Sequence, residues 1–286
     1  MKRIFLVAIL LFPVLFLNLT FPNLAFSQDK RENMVDIGGY KLHCRVFGKG
    51  APAIVLVNGA NVDQSYWDPV IPALAAETTV ITYNRAGNGK SGIGNHVYHG
   101  KRQAKELKSL LDKLGIPGPY VLIGHSFGGF FVRLFSSLYP QSTAGLILED
   151  ATHEDVTEYR LRRLKGDDLK LVQSVVNRPA PKNPLPGPTT EISARESTEQ
   201  QVREITSMPQ VPFLVISAGE PLPRSKISQE GNRIMHEIKI ELHKKYLELI
   251  PGGNHIIVKG TVHTIHSEKP EAFIEPVLEL LERVRK

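Results

Sequence analysis

The amino-acid sequence predicts an α/β fold: a mostly parallel, doubly wound, eight-stranded sheet with a small helical lid insertion. Short apolar runs that indicate strands alternate with segments that indicate helices, which is typical of parallel strands covered by helices on both faces. The alternation is interrupted once, by residues 152–210, which separate two predicted core strands. A connection between strands rarely needs so many residues, so we predict one domain, residues 28–286, with this segment as its lid.

Eight strands are predicted from apolar runs that are bounded by turn residues. Ala53–Val57 is a continuous aliphatic run, which indicates a strand buried on both faces. The pair Gly38-Gly39 separates two earlier runs and favours an antiparallel hairpin. The other strands are predicted at 34–37, 42–47, 79–83, 120–123, 145–148, 211–217 and 256–258.

Helices are predicted between the strands, where apolar residues recur at the spacing of one helix face. The helices that cover the sheet are expected at 67–76, 101–114, 127–139, 228–249 and 270–284. Those of the lid are expected at 155–164, 168–176 and 193–206, with a proline-rich stretch at 179–188.

The first 27 residues predict an export signal. Lys2 and Arg3 precede fourteen uninterrupted apolar residues, 4–17, and Ala25 and Ser27 supply the small residues expected before a cleavage site. A membrane span needs about 20 apolar residues. Cleavage near Ser27 and a periplasmic or secreted protein are therefore favoured, with an uncleaved membrane anchor as the alternative.

The composition argues against several classes of protein. The formal net charge is +6 and no block of like charges occurs, so no nucleic-acid partner is expected. Cys44 is the only cysteine, which excludes an intramolecular disulfide. The lid carries nine Lys or Arg and nine Asp or Glu residues, so its charge predicts no steering toward charged substrates.

The segment Gly124–Gly129 indicates a nucleophile. Ser126 lies between the apolar run 120–123 and a predicted helix, with glycines two residues before and two residues after it. Small residues at those positions allow a sharp turn that lifts the serine hydroxyl clear of its own backbone. A serine presented in this way can attack an acyl carbon if a base and donors for the developing oxyanion lie nearby.

The base is expected on a late loop, because side chains of a parallel sheet's site gather at the carboxyl ends of the strands. His263 follows the last predicted strand and is favoured. His255 begins that strand and is the less favoured candidate, with a surface or structural role expected instead. His266 could line the pocket but is expected to be solvated.

The orienting acid has two main candidates. Asp150 follows the strand 145–148, and Glu220 follows the strand 211–217. Asp150 is favoured because aspartate is the commoner orienting residue. Glu149 and Asp155 remain lesser alternatives.

Two backbone N–H groups are expected to form the oxyanion hole. One belongs to Phe127, directly after the nucleophile, and the other to Ala60 in the loop after the strand 53–57. Gly59 would let that loop turn so that the next amide faces the site. Asn58, Gly59 and Trp67 are the candidate substrate-binding residues.

These motifs together resemble the α/β-hydrolase superfamily, in its serine esterase and haloperoxidase-like branch with a short lid. The resemblance is carried by Leu56–Gly59 with Trp67 downstream, by Tyr83–Ser91, by the Ser126 turn, and by His263 seven residues before Pro270-Glu271. They follow one another in the family's order from residue 35 to residue 286. The resemblance implies the α/β-hydrolase fold and a Ser-His-acid triad.

The sequence departs from the family's pattern at three positions. Asn58-Gly59 replaces the usual His-Gly, and Asn84-Arg85 replaces the usual Asp-Arg, where a structural role is expected. The acid position common in the family, after the strand 211–217, has no aspartate. That absence also favours Asp150, at the position that some family members, including certain lipases, use.

The expected activity is hydrolysis of a carboxylic ester or related acyl bond through an acyl-enzyme. Relatives that open epoxides or remove halide use an aspartate nucleophile, so the resemblance argues against those reactions. No cofactor or metal is expected, and the partner is a small-molecule ester or acyl substrate. The alternatives are cleavage of a C–C bond, lactone or prolyl peptide by the same triad, and a ligand-binding or sensor protein with little turnover, which Asn58 favours.

Overall fold

The computed structural model describes residues 31–94, 98–177 and 188–286, with 188–190 described as backbone only. The predicted export signal at 1–27 and most of the proline-rich stretch at 179–188 lie outside the described residues. Within the described part of the chain, no helix is both long enough and apolar enough to cross a membrane.

Eight strands form one sheet. They are β1 (Arg31–Asp36), β2 (Lys41–Phe47), β3 (Ile54–Val57), β4 (Val80–Tyr83), β5 (Tyr120–His125), β6 (Thr143–Glu149), β7 (Phe213–Ala218) and β8 (Asn254–Val258). Their order across the sheet is β1-β2-β4-β3-β5-β6-β7-β8. β2 is antiparallel to β1 and β4, and the remaining neighbours are parallel. The predicted mostly parallel eight-stranded sheet is confirmed.

Helices cover both faces of this sheet. They are α1 (Ile71–Glu77), α2 (Gly100–Leu114), α3 (Gly128–Leu138), α4 (Val156–Arg163), α5 (Gly166–Val176), α6 (Pro188–Ser193), α7 (Arg195–Arg203), α8 (Gln229–Lys245), α9 (Ile265–Glu268) and α10 (Pro270–Arg285). Apolar side chains of α2 and α3 form one core with the sheet, and those of α1 and α10 form a second core. Burying a helix face on each side explains why the central strands are apolar throughout.

One predicted helix has a different form. The segment predicted as a single helix, 67–76, is a 3₁₀ turn at Gln64–Trp67 followed by α1. The Asp63 carboxylate caps the turn by accepting from the backbone N–H of Ser65 at 2.9 Å. Pro72, at the start of α1, suits the first turn of a new helix. The Asp63 cap therefore starts the 3₁₀ turn before residue 67, and Pro72 marks the start of a separate helix, α1.

Two of the helices that the structure describes within 152–210 pack against different helices of the rest of the domain. α4 packs against α8, and α7 packs against α2 and α3. The base of the segment is anchored by a buried ion pair, in which Arg133 of α3 donates two hydrogen bonds to Glu154, at 2.6 and 2.9 Å. A two-point contact of this kind fixes orientation as well as distance.

Candidate active site

Ser126 lies in a tight turn between β5 and α3, with a positive φ of 51°. A side chain at Gly128 would place its Cβ 2.4 Å from the carbonyl oxygen of Val57, and one at Gly124 would lie 2.6 Å from the Cγ2 atom of Val132. Only glycine fits at both positions, so the strained serine conformation depends on them. The turn is held by the Ser126 N–H, which donates to the carbonyl of Glu149 at 3.0 Å.

His263 is oriented by Asp150. Its Nδ1 lies 2.7 Å from Oδ2 of Asp150, at the end of β6. Asp150 is buried, and its other oxygen, Oδ1, accepts from the backbone N–H of Ala218 at 2.9 Å. Nζ of Lys239 forms an ion pair with Asp150, 2.9 Å from Oδ1, and donates a hydrogen bond to Oδ2 at 3.3 Å. With Nδ1–H donating to the carboxylate, Nε2 of His263 is the nitrogen that can take a proton.

The Asp150 carboxylate is ionised at neutral pH. Burial alone would raise its pKa, but the hydrogen bond from His263 and the charge of Lys239 outweigh burial and hold the pKa well below its usual range. A charged, buried acid beside a histidine is what a Ser-His-acid triad requires.

Ser126, Asp150 and His263 line one cavity of about 170 Å³. The cavity is also lined by residues of α4, α7 and α8. The nucleophile candidate and the histidine bonded to the acid therefore face the same enclosed space, where a small acyl group would meet both.

The loop after β3 is held from two sides. The Asn58 side chain accepts from Nε1 of Trp67 at 2.8 Å and donates to the carbonyl of Val62 at 3.1 Å. Arg85 donates to the carbonyls of Asn58 and Gly59, at 2.7 and 2.8 Å. These contacts fix the backbone that leads into the Ala60 amide.

The backbone N–H groups of Ala60 and Phe127 donate to no other residue in the described parts of the chain. Gly59 lies against the turn, because a Cβ at this position would come within 3.2 Å of Cβ of Ser126. Two unengaged donors beside a serine are what an oxyanion hole requires.

A family model for the alpha/beta hydrolase fold matches residues 52–208, more than half of the chain. The chain belongs to the α/β-hydrolase family. This confirms the resemblance carried by the sequence motifs.

Relatives and solved structures agree at this level. An uncharacterized protein, YqjL, of Bacillus subtilis is 26% identical over 78% of this chain and 81% of its own length. A 2-hydroxy-6-oxo-6-(2'-aminophenyl)hexa-2,4-dienoic acid hydrolase of Metapseudomonas resinovorans is 24% identical over 88% and 91%. The crystal structure of a bromoperoxidase from Bacillus anthracis has a TM-score of 0.62, with 18% identity over 88% and 100% of the two chains.

The predicted substrate-binding residues require correction. Asn58 and Trp67 are buried, and none of Asn58, Gly59 and Trp67 is among the described residues that line the cavity shared by Ser126 and His263. In this α/β-hydrolase, the Trp67 ring packs on His266 with a centroid distance of 4.3 Å, while Asn58 bonds to Trp67. Both residues stabilise the loop after β3, because the indole N–H of Trp67 donates a hydrogen bond to the side-chain oxygen of Asn58.

The alternative acids lie elsewhere. Glu220 accepts from the backbone N–H of Gly260 at 3.1 Å, and Asp155 lies 3.3 Å from Nε of Arg203. Glu149 bonds to His266, whose Nδ1 lies 2.8 Å from its Oε1. The structure therefore brings Asp150, and none of the other three carboxylates, to His263.

His255 and His266 have structural contacts. Nε2 of His255 lies 2.7 Å from Oγ of Ser217, whose Oγ also lies 2.6 Å from Nδ1 of His243. His266 was expected to be solvated, but its side chain is fully buried. Its place between Glu149 and Trp67 comes from the fold of α9, which sequence spacing does not reveal.

Two residues that the sequence analysis did not single out contact the triad candidates. Lys239 of α8 bonds to Asp150, and no sequence signal marks it, because only the packing of α8 against β7 brings it there. His125 precedes Ser126, and its Nε2 lies 3.2 Å from the carbonyl oxygen of His263. The alternation of side chains along β5 could have placed His125 behind the nucleophile.

Proposed function

We propose that this α/β-hydrolase cleaves carboxylic esters through an acyl-enzyme, with Ser126 as nucleophile, His263 as base and Asp150 as orienting acid. One observation carries the proposal: a serine in a strained turn and a histidine bonded to a buried carboxylate line the same cavity. A serine is a poor nucleophile unless a base takes its proton, and this arrangement supplies that base.

The geometry suggests the following course. Oγ of Ser126 attacks the ester carbon while its proton passes to Nε2 of His263, and the resulting oxyanion accepts hydrogen bonds from the N–H groups of Phe127 and Ala60. His263 then returns the proton to the leaving alcohol, which departs. A water molecule, deprotonated by His263, attacks the acyl carbon, and release of Ser126 completes hydrolysis.

A fluorescent fluorophosphonate probe, together with hydrolysis of 4-nitrophenyl butyrate, tests this proposal. Wild-type protein should be labelled and should release 4-nitrophenol, and Ser126→Ala should abolish both. Ser142→Ala is the matched control, because Ser142 lies directly before β6, at the end of the parallel strands opposite to Ser126, and should leave both readouts unchanged. Folded wild-type protein that neither labels nor hydrolyses the ester would overturn the proposal and favour the sensor alternative.

Cleavage of a C–C bond is the second candidate. Its support is the similarity, over most of both chains, to a relative whose name is that of a dienoic acid hydrolase. The same serine, histidine and acid would serve this reaction. Strong turnover of a vinylogous 1,5-diketone acid beside weak ester turnover would favour it over ester hydrolysis.

We also propose that the protein is exported. The support is the sequence pattern of Lys2-Arg3, the apolar run 4–17 and the small residues Ala25 and Ser27. The mass and N-terminal sequence of the protein recovered from its native host should indicate a mature chain that begins at Gln28. A chain retained in the membrane with Met1 intact would favour the anchor instead.

A further inference from the structure

Three arginines line the cavity that Ser126 and His263 share. They are Arg160 of α4, Arg195 of α7 and Arg224 in the loop between β7 and α8. They come from three segments that are far apart in sequence, so the convergence is a property of the fold. Their guanidinium groups supply donors to the same space as the nucleophile.

These three side chains have few partners. Arg160 makes no side-chain hydrogen bond in the described parts of the chain, and its Nε is buried. Arg195 donates from Nε to Glu199 at 2.7 Å, while its buried Nη2 has no partner there. Among the described residues, the Arg224 side chain donates to the backbone carbonyl of Leu222 alone, at 3.2 Å. The buried Nε of Arg160 and the buried Nη2 of Arg195 are therefore donors without a partner among the described residues.

Two arginines whose side chains are almost fully buried, Arg85 and Arg133, are paired differently. Arg85 makes two hydrogen bonds to the carboxylate of Glu191, at 2.5 and 2.9 Å, and Arg133 makes two to Glu154. A buried guanidinium without a counterion is unfavourable, so a carboxylate is the usual solution. Within the described parts of the chain, the cavity arginines have no carboxylate partner except for the single contact between Arg195 and Glu199.

The charge balance of the cavity is positive. Among the lining residues that the structure describes, Asp150 is the only carboxylate, and it is already engaged by His263 and Lys239. Burial, together with the neighbouring charges of Arg224 and Arg195, lowers the pKa of Arg160 to about 9. Arg160 still carries its charge at neutral pH, and a bound anion would relieve the repulsion.

We propose that Arg160, Arg195 and Arg224 form a subsite for an anionic group, a carboxylate or phosphate, that the ester substrate carries. This inference deepens the proposed function and rests on it. The guanidinium fork matches the geometry of both anions, and each unengaged N–H can donate to one of their oxygens. The cavity of about 170 Å³ is smaller than the ~300 Å³ at which drug-sized ligand pockets begin, so the substrate is small.

The proposed subsite differs from the sequence-based expectation that the lid would show no preference for charged substrates. The lid has equal numbers of basic and acidic residues, which predicted no preference for charged substrates. In the fold, two acidic residues of this segment pair with arginines that do not line the cavity, Glu154 with Arg133 and Glu158 with Arg162, whereas Glu199 pairs with Arg195. Arg160 and Arg195 line the cavity. The segment 152–210 therefore contributes positive charge to the cavity, although its basic and acidic residues are equal in number.

Paired substrates test the proposal. Mono-4-nitrophenyl glutarate and 4-nitrophenyl pentanoate differ only in a carboxylate that replaces the terminal methyl of the acyl chain. 3-Carboxyphenyl pentanoate and phenyl pentanoate place the carboxylate on the leaving group instead. For at least one charged ester, Arg160→Gln should lower kcat/KM about 10- to 100-fold, chiefly through KM, with the neutral partner changed less than about threefold. The pair that responds identifies which side of the ester carries the anion.

Arg162→Gln is the matched control. Arg162 lies on the same helix, is largely exposed and bonds to Glu158 outside the cavity. It should leave the ratio of charged to neutral ester unchanged. Arg224→Gln provides a second variant in case Arg160→Gln does not fold. Unchanged ratios in both cavity variants would overturn the subsite, while fluorophosphonate labelling would show that the triad still works.

A binding experiment separates the subsite from catalysis. Glutarate or inorganic phosphate should raise the melting temperature of Ser126→Ala, and the increase should disappear in Ser126→Ala/Arg160→Gln. A response to glutarate alone would indicate a carboxylate site, and a response to phosphate alone a phosphate site. This result would support the subsite even if no ester were hydrolysed, whereas the absence of any shift, with no preference for charged esters, would overturn it.

Discussion

Two acid–histidine pairs lie side by side at the end of β6, and their local geometry is nearly the same. Asp150 Oδ2 lies 2.7 Å from Nδ1 of His263, and Glu149 Oε1 lies 2.8 Å from Nδ1 of His266. The pairs differ in what surrounds the histidine. The side chain of His263 is 30% exposed and lines the cavity with Ser126, whereas that of His266 is 0% exposed.

The buried pair acts as a structural tie. The backbone N–H of His266 also donates to Glu149, at 2.9 Å, and the ring lies 4.4 Å from that of Tyr66 and 4.3 Å from that of Trp67. These contacts connect α9, directly after the His263 loop, to the centre of the sheet. An acid–histidine hydrogen bond therefore does not by itself indicate a catalytic site. The histidine must also face a space that a substrate can enter.

The largest contrast is expected between His263→Gln and His266→Gln. Loss of the base should lower kcat for 4-nitrophenyl butyrate by about 10⁴-fold or more, with little change in the free energy of unfolding because His263 is partly exposed. His266→Gln should keep kcat within a few-fold and reduce the free energy of unfolding by about 2–4 kcal/mol, since it disturbs a packed and hydrogen-bonded site. Kinetics and urea unfolding measure the two effects, and equal losses of kcat would refute the division of roles.

The next contrast is expected between substitutions of the two acids, Asp150 and Glu149. Asp150→Asn should lower kcat by about 10³- to 10⁴-fold, because the neutral amide neither stabilises protonated His263 nor neutralises Lys239. Glu149→Gln, an equally conservative change one residue earlier, should affect mainly stability, by about 1–3 kcal/mol. The measurements are single-turnover kinetics and chemical unfolding. A loss of kcat in Glu149→Gln as large as in Asp150→Asn would show that the buried pair serves catalysis.

Substitution of Arg85 leaves both acid–histidine pairs intact and affects the loop that carries the Ala60 amide, a proposed oxyanion donor. Arg85→Gln removes the donors that hold the carbonyls of Asn58 and Gly59, and should lower kcat by about 10²-fold through displacement of the Ala60 amide. Because Glu191 would then be buried without its partner, Arg85→Gln/Glu191→Gln is the control for stability. If kcat were unchanged in the folded variants, the loop would not depend on Arg85.

The smallest effect is expected from pH. Burial lowers the pKa of His243, which lies beneath the cavity, from its ordinary 6.5 to about 4. Its folded-state pKa is below its unfolded value, so the stabilisation is present above pH 6.5 and is lost as the pH falls toward 4, by at most about 1.4 kcal/mol for each pH unit. The lowered pKa of Asp150 has the same sign and adds a further loss below its ordinary 3.8. Urea unfolding between pH 7.5 and 4 measures this slope, and His243→Asn should flatten it; an equal slope in that variant would assign the effect elsewhere.

Many strands, helices and turns could be predicted because they depend on sequence patterns within a few residues. The aliphatic run of β3 predicted a strand buried on both faces, and the glycines around Ser126 predicted a tight turn that the structure contains at positive φ. The ends of elements were less predictable, as in the segment after β3, where Asp63 and Pro72 divide one predicted helix into two pieces. Such boundaries depend on single capping contacts rather than on the repeat of apolar residues.

The side chains of the site were only partly predictable. Ser126 and His263 were singled out by their positions after β5 and β8, whereas Asn58 and Trp67 were expected at the substrate and are buried behind the loop. Nothing in the sequence around Lys239 or Arg160 distinguishes it from a surface residue. Each became part of the cavity because a helix packs with that face inward.

The sequence by itself determined the alternation of strands and helices, the glycine-bounded turn at Ser126 and the set of candidate acids and histidines, because these follow from residue type and short-range spacing. Only the tertiary structure decided which candidates meet. Asp150 and His263 are 113 residues apart, and the choice between Asp150 and Glu149 depends on which face of the sheet each carboxylate reaches. The three arginines of the cavity, on three separate segments, are likewise brought together by packing, since hydrophobic burial fixes the helices on which two of them lie.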